Sequence, residues 1–138
     1  MKYLPLFVIL LFIVSFTSAC KKDENVEKQI CPAGPGGNLE LSFFVTHHDT
    51  LIPGAEIYVK FNATEFPGTD PANYDRVLLT GTAGHERGHA HLPFMTCGRY
   101  FIYSVGYDSL ISDSVFGGIP VNITKTEGTE TINVHVTE

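Results

Sequence analysis

The sequence has no tryptophan, two methionines and three cysteines among its 138 residues. Without Trp, the strongest ring for stacking on a sugar is missing, which weakens a lectin-type reading. Cationic side chains are also scarce, with 9 Lys and Arg against 15 Asp and Glu. That balance repels a phosphate backbone, and no basic cluster offsets it, so no nucleic-acid partner is expected. Beyond Cys20 no stretch carries the 3.6-residue apolar period of a packed helix. The longest apolar run, from Tyr3 to Phe16, is broken by Pro5 and Ser15 and is shorter than the roughly 20 residues that a membrane-spanning helix needs. No Gly-x-Ser-x-Gly elbow is present. Gly34-Pro35-Gly36-Gly37 has neither a preceding strand nor a Lys, so it makes a poor phosphate cradle.

What is present begins at the N-terminus. Met1-Lys2 supplies a positive start, the apolar run follows, and Thr17-Ser18-Ala19 provides small residues before Cys20. This is the order of a secretory signal peptide. Ser18-Ala19-Cys20 resembles the lipobox of bacterial lipoproteins, with Thr17 where Leu is usual. The resemblance implies cleavage after residue 19, lipidation of Cys20 with a palmitate-type acyl chain, and membrane attachment through the lipid. Lys21-Lys22-Asp23-Glu24 resembles the short charged signal that sends many Bacteroidetes lipoproteins across the outer membrane to the cell surface. Retention on the periplasmic face, with those residues as a solvated linker, is the alternative.

Removing residues 1–19 takes away Lys2 and leaves a chain long enough for one domain, with a formal charge near −7. Two cysteines then remain, Cys31 and Cys97. Outside the cytoplasm an even pair reads first as a disulfide. Residues 20–38 are charged, then rich in Pro and Gly, and read as the lipidated Cys and its tether.

From Leu39 the pattern has period two, which sends alternate side chains to opposite faces of a strand. Leu39, Leu41, Phe43 and Val45 form one such face, and Ala55, Ile57, Val59 and Phe61 another. Shorter strands are readable at 76–80, 89–94, 100–106, 121–124 and 131–136. Gly128, between the last two, suggests a hairpin. The expected fold for 39–138 is all-β: a single antiparallel Greek-key β-sandwich of about seven strands, prealbumin-like or Ig-like. The connection from Asn62 to Asp75 is the longest and is a candidate functional loop.

Pro53-Gly54-Ala55-Glu56-Ile57-Tyr58-Val59 resembles the opening of the carboxypeptidase regulatory-like domains, which have a prealbumin-like (transthyretin-like) fold. Thr82-Ala83-Gly84 to Ala90-His91-Leu92, then Gly98-Arg99-Tyr100-Phe101-Ile102-Tyr103, resembles a later segment of that family. The resemblance implies a turn, an edge strand, and a Gly-led strand whose Tyr packs inward. It implies no activity. Intradiol dioxygenases share the topology, but their His-x-His follows the Gly-x-Tyr strand, whereas His89-Ala90-His91 precedes it.

Six histidines raise a metal hypothesis. His89 and His91 share one strand face, a spacing suited to two ligands, and His85 is close enough in sequence to be a third for zinc or another divalent ion. The competing reading is a solvated outer-face pair. Glu65, Asp70, Asn73 and Asp75 in the long loop could hold calcium, but their spacing matches no EF-hand and suits turn formation. Asp49-Thr50-Leu51, Asp108-Ser109-Leu110 and Asp113-Ser114-Val115 resemble the Bacteroidetes O-glycosylation acceptor, implying Thr50, Ser109 and Ser114 in turns or loops. Two function classes follow: a non-enzymatic binding, adhesive or accessory module with a protein or glycan partner and no cofactor, or a metal-dependent lipoprotein using His85, His89 and His91.

Overall fold

The computed structural model describes residues 31–138, and Cys20 with the signal and charged segments lies outside them. The described chain forms eight strands: β1 (Pro35–His47), β2 (Thr50–Leu51), β3 (Glu56–Phe61), β4 (Arg76–Leu79), β5 (His89–Met95), β6 (Gly98–Asp108), β7 (Asp113–Ile123) and β8 (Glu127–His135). Two four-stranded sheets result. One has the order β4-β3-β6-β7 and is antiparallel throughout. In the other, β1 is central, with β8 parallel on one edge and β5 and the short β2 antiparallel to it. The fold is an all-β sandwich.

The alternation explains the core. Leu39, Leu41, Phe43 and Val45 from β1 are completely buried, and they meet Ala55, just before β3, and Ile57 and Val59 of β3 with Tyr100 and Ile102 of β6. Tyr100 points inward, as the Gly-led strand implied, and its hydroxyl accepts a hydrogen bond from the Gly34 amide.

The start of the domain differs from the sequence reading. β1 begins at Pro35, not Leu39, and Ala33 is already buried, exchanging hydrogen bonds of 2.9 and 3.1 Å with the Asn62 side chain. The Pro- and Gly-rich end of the expected tether therefore belongs to the sandwich. Cys31 and Cys97 are disulfide-bonded, with Cα atoms 5.3 Å apart. Gly98 makes this junction possible: a Cβ there would lie 2.5 Å from the Ala33 nitrogen.

The expected hairpin between the last two strands does not form. β7 pairs with β6, and β8 crosses to the opposite sheet to lie parallel to β1, with Phe43 opposite Ile132 and Val45 opposite Val134. The reason is the central position of β1: with one face buried in the core, its backbone groups need hydrogen-bond partners on both edges. Beyond β8 the two sheets are stitched together, because Phe116 of β7 exchanges backbone hydrogen bonds of 2.8 and 2.9 Å with Thr137. Gly117 permits that approach, since a Cβ there would collide with the His135 carbonyl oxygen.

Candidate functional site

The strand directions give the sandwich two poles. β1 runs from the disulfide to His47, and β6 runs from Gly98, beside the same disulfide, to Asp108. The disulfide pole also holds the 62–75 connection and Phe94. The far pole holds the β1–β2 turn, the β6–β7 turn and the end of β8.

At the far pole the inward alternation of two strands ends on polar residues. Continuing from Val45 lands on His47, and continuing from Ile102 and Ser104 lands on Asp108. His47 is 1 % exposed and Asp108 5 %, and His47 Nδ1 lies 2.8 Å from Asp108 Oδ2. An ionised carboxylate only accepts hydrogen bonds, so Nδ1 is the donor. Asp108 Oδ1 accepts from the Leu110 amide at 2.8 Å. The His47 bond, helped by that amide, holds the Asp108 carboxyl below the usual carboxylate range.

The pair braces both far-pole turns. His48 stacks on His47 with ring centroids 4.1 Å apart, and His48 and Asp49 both have positive φ, as a two-residue primed hairpin turn requires. In the other turn, Leu110 is 77 % and Ile111 43 % exposed. A histidine–carboxylate pair is also a component of catalytic triads. Here Nε2 is buried with no hydrogen-bond partner among the described residues, 3.9 Å from Glu138 Oε1. The pair ties the ends of β1 and β6 together beneath the exposed Leu110-Ile111 tip. Sequence reasoning passes over it, although two polar residues at inward positions are a readable signal.

The histidines singled out by spacing lie elsewhere, on the polar outer face of the β1 sheet and its flanking turn. His85 is exposed in the 3-10 turn Gly84–Glu86. His89 is half-buried with its ring 3.9 Å from that of Phe44. His91 is exposed, with Glu40 at 3.3 Å from Nδ1 and Glu86 at 3.4 Å from Nε2. The carboxylates bracket opposite sides of the ring instead of converging with it. Among the described residues no three or more His, Cys, Asp or Glu side chains form a metal-holding group. His89 and His91 instead help line an open groove of about 450 Å³ between β4 and β5, with Val77, Leu78, Leu79 and Glu86.

The 62–75 connection folds over the outer face of the β3–β6 sheet. Tyr58, Tyr74, Phe101 and Tyr103 form a second apolar cluster, and Phe66 covers it, 5.1 Å from the Tyr103 ring. Donation to Glu56 pushes the Tyr58 hydroxyl up to about 12, with burial second, and burial raises Tyr74 to about 12. Two acidic groups of this loop, Asp70 and Asp75, are used locally. Asp70 accepts from the Ala72 amide at 2.9 Å, and Asp75 from the Phe61 amide at 2.7 Å and from Lys60 at 3.2 Å.

Of the expected glycosylation sites, Ser109 lies in the exposed β6–β7 turn. Thr50 falls in β2 and Ser114 at the start of β7, so the expectation of turns or loops holds for Ser109 alone. No protein-family model matches the chain, and no curated protein matches it.

Proposed function

We propose that the chain is a lipoprotein attached through Cys20 to the outer membrane at the cell surface. Its sandwich is a non-enzymatic binding, adhesive or accessory module whose contact surface is the far pole. One observation carries this reading: the exposed Leu110-Ile111 tip, braced by the buried His47–Asp108 pair, stands at the opposite end of the domain from the disulfide. Exposed apolar residues held rigidly on a turn suit contact with a protein or glycan partner. The disulfide leaves ten residues, Lys21 to Ile30, between the anchor and the domain, a reach of at most about 35 Å. That reading also takes the module as carboxypeptidase regulatory-like. In its favour are the turn at Thr82–Gly88, the edge position of β5, the inward Tyr100 and the Pro53-Gly54 turn ahead of β3.

Two measurements test the proposal. Cys20→Ser should move the protein from the membrane fraction to the soluble fraction, and protease added to intact cells should digest the wild type. With anchoring intact, L110D/I111D should abolish adherence of expressing cells to protein- or glycan-coated surfaces without changing thermal unfolding. Retention of the Cys20 variant in the membrane would remove the anchor. Adherence unaffected by the turn substitutions would remove the far pole as the contact surface.

A further inference from the structure

Among the described residues the longer outer strands are β5, β7, β8 and β4, and the first three are protected against pairing with another chain. On β5, the His89 carbonyl accepts from the Gly81 amide at 2.9 Å, so His89, His91 and Pro93 turn their backbone groups to the open side. Pro93 has no N–H to offer there. On β7, Phe116 bonds to Thr137 on the open side, which puts Pro120 on that side too. A proline at an open-edge position blocks strand addition. The β8 edge carries Glu127 and Glu130, the latter paired with Lys125 at 2.8 Å.

The fourth edge, β4, carries no proline, and its one charged residue, Arg76, stands at its first position. Its sequence is Arg76-Val77-Leu78-Leu79, without proline, glycine or an acidic residue. Thr80 donates its amide to Ala55 of β3 at 2.9 Å. In a regular strand Leu78 then also faces β3, while Val77 and Leu79 present their N–H and C=O groups outward. Their side chains are 55 % and 63 % exposed on one face of the sheet.

We propose that β4 is a dimerisation edge, pairing antiparallel with β4 of a second copy about a two-fold axis through Leu78. The strand is its own complement in that register. Val77 falls opposite Leu79 of the second copy, so each free N–H meets a free C=O and four backbone hydrogen bonds form. The exposed Val77 and Leu79 side chains come together in two aliphatic cross-strand pairs. Arg76 falls opposite Thr80, not another Arg, so no like charges meet although the chain is acidic as a whole. The contact is isologous and closes on itself. It joins the two β4-β3-β6-β7 sheets into one of eight strands and leaves the far-pole turns free.

The full chain, extracted from membranes in a non-ionic detergent, should sediment as a dimer across a concentration series. V77K/L79K places Lys opposite Lys in both outward pairs and should leave only monomer, with the melting temperature of the monomeric unit unchanged. V77K/L79E places Lys opposite Glu in the same register and should restore a dimer that weakens with salt. Leu78→Cys, on the two-fold axis, should give a covalent dimer on mild oxidation whether or not the charged variants fold. A wild type that remains monomeric, a dimer that survives V77K/L79K, or a Leu78→Cys chain that does not cross-link would overturn the proposal.

Discussion

Asp108 has two partners and a single solvent-shielded position, which makes its ionisation part of the fold. Its carboxyl is held below the ordinary range by His47 first and by the Leu110 amide second. A depressed folded-state value adds stability that is present above the unfolded value, near pH 4, and is lost as pH falls through the folded value. The wild type should therefore lose stability steeply on acidification below about pH 4, a limb that Asp108→Asn should flatten while lowering stability at neutral pH. Urea midpoints measured from pH 2 to 7 check this; parallel curves for the two proteins would show that Asp108 does not govern the acid limb. The residue types at this pole are readable in the sequence, but their pairing is not. His47 and Asp108 are 61 positions apart, and only the closing of two strands on one core brings them to 2.8 Å.

At the scale of elements, periodicity locates the long strands because burial on one face imposes it directly. The inward set of β1 is legible residue by residue in the alternation from Leu39 to Val45, and all four members are fully buried. The misreadings occur where long-range pairing overrides local pattern. Gly128 has the look of a hairpin turn, yet β8 pairs with a strand nearly 90 residues earlier, Leu39 facing Gly128. The end of β5 shows a second case. Met95 stands opposite both Pro35 and Leu39, and at this slip Phe94 has φ of 62° with 71 % of its surface exposed. A bulky residue in the left-handed region costs about 1–2 kcal/mol, a cost that Asn bears more readily. Phe94→Asn should raise stability by roughly 0.5–1 kcal/mol in denaturant unfolding, because the ring has few contacts to lose. A destabilised variant would mean that the ring makes a contact that matters to the fold.

For the whole molecule, the disulfide ties the first described residue to the loop before β6 and closes 66 positions of chain. In the chain-entropy model such a loop stabilises the fold by about 4 kcal/mol. Replacing both cysteines with Ala should reduce unfolding stability by roughly that amount while preserving the β-rich circular dichroism spectrum. An unchanged unfolding midpoint would show that strand packing alone holds the start of β1. The sequence by itself determined the all-β class, the inward faces of the main strands, and an N-terminus that resembles a lipoprotein signal, because these depend on local composition and period. The tertiary structure decided the parallel β1–β8 pairing, the bracing of the far pole by His47 and Asp108, the placing of His91 between Glu40 and Glu86, and the proline-free β4 edge. Each depends on which distant segments pair to satisfy buried backbone groups, and a period-two pattern, the same for every partner, carries no record of that choice.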